Sequence, residues 1–201
     1  MYNNPKDQGP FSPGFAGLRW SQTAGYGFVP NAAMPKVFMA TSLDTPDRPY
    51  RVGKDPGFNV HSPFKQPVGA RLARAGLSVA YGMEVDTTGP RPGKVSRHGD
   101  MVILQLEQIG SMSGVKVHSK VGFEVLVAST WKSVTLAAHT KDTVAIGPVP
   151  REATQLRYLW YSNPCGESCF GCAVYIEAKP LAPLSGELPF LPLPPFVMDL
   201  P

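Results

Sequence analysis

The sequence predicts an α/β portion followed by a small antiparallel β portion, and three observations carry that expectation. Val37-Phe38-Met39-Ala40-Thr41-Ser42-Leu43 is a near-continuous apolar run after Pro35, the pattern of a strand buried on both faces of a parallel sheet. Beyond it, Val68, Leu72, Ala75 and Val79 recur at helical spacing. From about residue 95 the apolar period drops to two.

Taken in chain order, residues 1–17 are rich in Pro, Gly and Asn and are expected to be irregular. Leu18 to Ala24 reads as a short helix, ended by Gly25 and Gly27. The strand over 37–43 leaves Asp44 at its carboxyl end, where open α/β sheets place functional groups. A turn-rich stretch from Thr45 to Asn59 leads to His61 and then to a helix over about 63–82. Ser62 offers an N-cap and Pro63 a first helical residue, Pro67 draws the start later, and Gly82 stops the helix. Its apolar stripe is expected to face the core, with Arg71, Arg74 and Ser78 off that stripe.

The shift at Thr87-Thr88-Gly89-Pro90-Arg91-Pro92-Gly93 marks a boundary, giving an α/β portion over 1–94 and a β-rich domain over 95–179. There Val102, Leu104 and Leu106 alternate, as do Phe123, Val125 and Val127, and then Val134, Leu136 and Ala138. Thr143 to Ile146 and Leu156, Tyr158 and Trp160 continue the series, which reads as five or six strands of a β-sandwich-like domain. The Leu-Pro repeats within 180–201 exclude helix and central strand and predict an extended tail packed on a surface.

Composition narrows the function classes. The 20 glycines and 22 prolines far exceed the roughly 12 % of average usage, which favours short strands and long connections over helical bundles. The net charge of +4 is mild and its lysines and arginines are scattered, so no nucleic-acid surface is expected. The first ten residues lack the apolar core of a signal peptide, and no run approaches the ~20 apolar residues that span a bilayer. A soluble chain without a membrane partner is the expectation.

His61 is the candidate general base, because a histidine at a helix mouth after a strand sits where a hydrolytic α/β fold needs one. Asp44, Asp47 and Asp55 are candidates for the acid that orients it; Asp44 is favoured by its strand end and Asp55 by closeness in sequence. Trp131, Trp160 and Tyr161 offer sugar-stacking faces, but aromatics at alternating strand positions are more often core. Gly166-Glu167-Ser168-Cys169 has the letters of a nucleophile segment, yet it lies among cysteines on the far side of the β-rich region.

Several ordered blocks make a resemblance specific. Gly14-Phe15-Ala16-Gly17-Leu18-Arg19-Trp20-Ser21-Gln22-Thr23-Ala24, Val29-Pro30-Asn31, Met34-Pro35 and Val37-Phe38-Met39-Ala40 closely resemble the later part of sialate O-acetylesterases. So does the run from His61 through Lys65-Gln66, Val68, Arg71-Leu72 and Ala80-Tyr81-Gly82. Leu156-Arg157-Tyr158-Leu159-Trp160, Pro164-Cys165, Cys172-Ala173-Val174-Tyr175 and the Leu-Pro-Pro-Phe of 193–196 resemble that family's carboxyl terminus more loosely. Ser62 and Phe64 depart from the family pattern, and Arg48-Pro49-Tyr50-Arg51 reads as an insertion.

The resemblance implies an SGNH-type serine ester hydrolase that removes O-acetyl groups from sialic acids, without metal or cofactor. It maps the family histidine onto His61 and a strand-end aspartate onto Asp44. It also implies that this chain is the C-terminal portion of such an enzyme, inactive alone because the serine and oxyanion donors belong to earlier segments. The partner would be a hydrolase half that supplies them, and the compartment lysosomal or secreted. Of the three cysteines, it pairs Cys165 with Cys172 and leaves Cys169 over; a zinc site would need a fourth ligand, and His139 is the nearest histidine in sequence. The other function class left open is a non-catalytic β module that binds carbohydrate or packs on a partner. A sheet edge beside 37–43 is expected to be exposed and apolar.

Overall fold

Period-two alternation builds most of what is seen. The computed structural model describes residues 15–46, 62–109, 114–161, 164–165, 169–181 and 190–201. Among the described residues two helices precede the strands: α1 over Phe15–Ser21 and α2 over Lys65–Tyr81. The strands are β1 (Arg91–His98), β2 (Met101–Glu107), β3 (Val115–Val117), β4 (Phe123–Val127), β5 (Thr130–Val134), β6 (Leu136–His139), β7 (Thr143–Ile146), β8 (Gln155–Tyr158), β9 (Val174–Glu177), β10 (Phe190–Pro192) and β11 (Phe196–Asp199). They form three sheets ordered β1-β2-β7-β6, β10-β9-β3 and β11-β8-β4-β5. Among the described residues every pairing is antiparallel. Among the described residues no helix is long and apolar enough to cross a membrane.

The alternating residues do what their spacing requires. Val102, Leu104 and Leu106 are buried from β2, and Phe123, Val125 and Val127 from β4. With Val144, Ile146, Leu156 and Tyr158 they enter one core that also takes in Leu43 and Phe196. Area removed from water at roughly 25 cal/mol per Å² makes this shared core the main source of cohesion.

Several expectations change. Residues 37–42 are irregular and Leu43 begins a turn, so the expected strand carries no ladder. A strand exists by its pairing, and none of the described strands pairs with this segment. The single strand expected through Val134, Leu136 and Ala138 is two: β5 joins the third sheet and β6 the first. The chain switches sheets at Thr135, whose hydroxyl bonds the Gly147 carbonyl at 3.4 Å. The strands also start earlier than residue 95, because β1 begins at Arg91 and takes in Pro92 at the edge of its sheet. Proline is tolerated there, since an edge strand leaves some N–H positions unused.

The Leu-Pro segment is extended, as expected, but it is structural rather than a surface tail. β10 pairs with β9 and β11 with β8, each as an edge strand, and Leu191, Leu193 and Phe196 are buried. Pro192 closes β10 and Pro195 lies between the two strands. Two glycines admit this segment, since a Cβ on Gly27 would collide with the Pro195 carbonyl and one on Gly89 with the Pro192 carbonyl.

Leu104→Ala removes a fully buried side chain from β2 and is expected to cost about 2–5 kcal/mol in urea denaturation. Val121→Ala, at a position 59 % exposed, should stay within about 0.5 kcal/mol.

Candidate active site

The stretch from Asp44 to α2 carries the expected base, and its two ends are fastened to each other. At the first end Thr45 turns the chain back, its N–H and hydroxyl both donating to the Ser42 carbonyl at 3.2 and 2.9 Å. That turn drives Leu43 into the core and leaves the Asp44 side chain with no exposed surface. At the second end α2 begins at Lys65, after Ser62 Oγ accepts the Phe64 N–H at 3.1 Å. Pro67 falls in the first turn, where an N–H would have no helical partner, so it costs no hydrogen bond. Gly82 ends the helix in the left-handed region, and the N–H groups of Gly82 and Met83 cap the carbonyls of Ser78 and Leu77.

The buried face of α2 is not the one its apolar spacing predicts. Ala70, Arg71, Arg74 and Ala75 are buried, while Leu72 is 40 % exposed. The helix is turned by about 100°, one residue's step. Arg71 supplies the reason. Its Nη1 and Nη2 donate to Asp44 Oδ1 and Oδ2 at 2.6 and 2.7 Å, and also to the carbonyls of Thr41 and Phe190 at 2.6 and 2.9 Å. Arg74 Nη2 donates to the Lys179 carbonyl at 2.7 Å. A charged carboxylate in the interior needs a partner more than Leu72 needs cover, because the desolvation penalty of an unpaired ion is several kcal/mol.

Further groups close around the same carboxylate. Tyr175 Oη donates to Asp44 Oδ2 at 3.1 Å and accepts the Cys172 N–H at 3.0 Å, while the Phe170 N–H donates to the Asp44 carbonyl at 2.8 Å. Tyr158 Oη accepts the N–H groups of Ala173 and Val174, both at 3.1 Å. Cys165 and Cys172 form a disulfide, the pairing the resemblance implies, and Cys169 takes no part in it. Burial holds both tyrosine hydroxyls well above their usual range, and the Asp44 charge adds to the effect. His118 stacks on Tyr175 at 4.5 Å, with Nδ1 3.1 Å from the Phe170 carbonyl.

His61, Asp47 and Asp55 lie outside the described residues, as do Gly166 to Ser168. Asp44 is described, and both of its oxygens are engaged by Arg71 and Tyr175. Sequence reasoning missed Arg71, Tyr175 and His118; the one available signal was a pair of arginines, Arg71 and Arg74, sharing a face of a helix. The aromatics form no open platform. Trp160 is buried edge-on to Trp20 at 5.5 Å, and Trp131 lies on Arg157, whose Nε is paired with buried Glu124 at 2.7 Å. Tyr161 donates its hydroxyl to that same Glu124. Among the described residues no group of three His, Cys, Asp or Glu side chains is placed to hold a metal.

With that geometry in place, the human sialate O-acetylesterase is 32 % identical over 191 residues, 92 % of this chain and 33 % of the relative. The chain is similar to sialate O-acetylesterases. The mouse enzyme of that name is 29 % identical over 194 residues, covering 93 % of this chain and 32 % of its own length. The chain therefore spans about a third of the length of the curated relatives it matches. Among solved structures, a carbohydrate acetylesterase from Xanthomonas citri shares the fold with a TM-score of 0.64 at 22 % identity, over 98 % of this chain and 38 % of that one. No protein-family profile matches.

Asp44→Asn and Arg71→Met should each destabilise the chain by about 3–5 kcal/mol, because each strands a buried partner. The double variant should cost less than the sum, read from a denaturation cycle. The raised tyrosines give a second expectation. A hydroxyl whose folded pKa lies above its unfolded value, near 10, stabilises the fold below that pH and loses the contribution as pH rises beyond it. Stability should thus fall above about pH 10, and Tyr158→Phe should flatten part of the fall in melts recorded against pH.

Proposed function

We propose that this chain is the base-bearing portion of a serine-type acetylesterase acting on O-acetylated sialic acids or closely related acetylated sugars. In this reading residues 1–94 complete an SGNH-like α/β hydrolase domain, and the β-rich sheets are its appended module. Support comes from likeness to sialate O-acetylesterases over nearly the whole chain and from the way the His61 stretch is fastened. Asp44 and α2 clamp both ends of the 45–64 segment with one buried ion pair, an arrangement suited to presenting an imidazole at a fixed place.

The chemistry assigned to the chain is proton transfer. His61 takes the proton of a serine hydroxyl as that oxygen attacks the acetyl carbonyl, then returns it to the departing sugar oxygen. A water deacylates the serine by the same route. The serine and the oxyanion donors are assigned to the portion of the relatives that this chain does not match. With its oxygens on Arg71 and Tyr175, Asp44 is a positioning residue in this scheme. Asp55, nearer in sequence to His61, is then proposed to orient the imidazole.

Acetate release from O-acetylated sialic acid and from a chromogenic acetate ester tests this, with the chain alone and mixed with the remaining two thirds, roughly, of the human relative. Activity should appear on mixing and fall roughly a hundredfold or more in His61→Ala. Activity indifferent to His61→Ala would overturn the assignment. Glycan binding without hydrolysis under either condition would favour the carbohydrate-binding module instead.

A further inference from the structure

A cleft of about 450 Å³ opens at the carboxyl end of α2, and the proton transfer assigned to His61 makes no use of it. Ser78 and Val79 line it from the helix, residues 85–88 from the connection to β1, and Arg91 and Gln108 from β1 and the residue after β2. Its volume lies within the roughly 300–1,000 Å³ that small ligands occupy. Between Lys65 and Ser78 the helix rises about 20 Å, so the cleft stands at the far end of α2 from the His61 segment.

Arg91 decides what the cleft can hold. Its guanidinium lies over the Phe28 ring, with the central carbon 4.1 Å from the ring centroid. The Nε–H is enclosed without an acceptor, and among the described residues Nη1 and Nη2 make no hydrogen bond either. Burial holds the group below its usual range, while the charge of Glu107, opposite it on β2, works against that shift. A guanidinium laid flat on an aromatic ring, with its outer donors free, suits a carboxylate taken end-on through two parallel N–H bonds.

The neighbouring groups narrow the ligand further. Among the described lining residues Arg91 is the one cation and Asp86 the one anion, which favours a singly charged ligand over a phosphate dianion. Asp86 Oδ2 accepts the Lys179 N–H at 3.3 Å, and Oδ1 takes no partner, leaving an acceptor for a ligand hydroxyl. Gln108 is held at φ 53°, where a non-glycine residue is uncommon; its Oε1 accepts the Thr88 hydroxyl at 3.5 Å and its amide N–H groups are unengaged. Thr87 adds a hydroxyl and Val79 and Val85 an apolar wall, the mixture that a hydroxylated ring requires.

We infer that this cleft is an accessory binding site for a carboxylate-bearing sugar of monosaccharide size, with Arg91 on the carboxylate and Asp86, Thr87 and Gln108 on the hydroxyls. It holds an acidic glycan away from the reacting centre rather than presenting an ester to it. Only the choice of a sialic acid as the sugar rests on the proposed function; the site itself is read from Arg91 and its surroundings.

Isothermal titration calorimetry of the whole chain with N-acetylneuraminic acid tests this. One site is expected, weakened at least tenfold by Arg91→Met and equally when the ligand is the sugar's methyl ester, which lacks the charge. Gln108→Gly, which accommodates the positive φ, should weaken binding about threefold or more, and His61→Ala should leave it unchanged. Far-UV circular dichroism and urea midpoints check that each variant folds, and the methyl ester needs no variant. No binding tighter than about 10 mM overturns the inference, as does binding indifferent to Arg91→Met or to esterification. Equal affinity for acetate or inorganic phosphate also overturns it, since the cleft would then take any anion. So does binding lost in His61→Ala and kept in Arg91→Met, which would put the sugar at the reacting segment. The expected binding, from a chain that releases no acetate on mixing, supports the site and removes the esterase reading.

Discussion

One carboxylate with no exposed surface holds together the parts of this chain that are far apart in sequence. Asp44 meets Arg71 from α2, Tyr175 from β9 and the Phe170 backbone from the disulfide loop. Arg71 carries the tie onward to the Phe190 carbonyl of β10 and to Thr41. Such a pair gains little over a well-packed apolar substitute, but each partner makes the loss of the other expensive. Its contribution is therefore specificity of arrangement: helix, turn, disulfide loop and C-terminal segment are held in a single geometry.

That demand ranks above the amphipathy of the helix. Of its stripe Val68, Leu72, Ala75 and Val79, only Ala75 is buried, and α2 could bury Leu72 as well only by withdrawing Arg71 and Arg74 from the carboxylate and carbonyls that receive them. The side chains concerned are unequal in cost. Leaving Leu72 half in water forfeits about 1–2 kcal/mol of burial, whereas an orphaned interior charge costs several times more. The same logic appears on the face of the third sheet away from the shared core, where buried Glu124 and Arg157 stand opposite each other in register on neighbouring strands and Trp131 covers the guanidinium.

In the proposed function, this division separates holding from reacting. The buried pair and the Tyr175 and Phe170 contacts fix Asp44, and the proposed chemistry is assigned to His61. A carboxylate already saturated by a guanidinium is well suited to the first task and poorly suited to the second. It cannot follow an imidazole through a cycle of protonation without surrendering its own partner.

The sequence by itself determined what depends on local periodicity and backbone chemistry. Val102, Leu104 and Leu106, or Phe123, Val125 and Val127, point inward because a strand alternates, and Gly82 stops α2 because its φ is positive. The likeness to sialate O-acetylesterases was also legible there, and that resemblance implied the Cys165–Cys172 pairing. What the tertiary structure alone decided was which competing demand wins. Apolar spacing reports where a helix could bury surface, but it says nothing of a carboxylate 27 residues away that will claim its arginine. A Leu-Pro segment announces extension, but not the edge strands beside it that turn it into core. Both outcomes turn on partners distant along the chain, and distance in sequence carries no energy until folding brings the groups into contact.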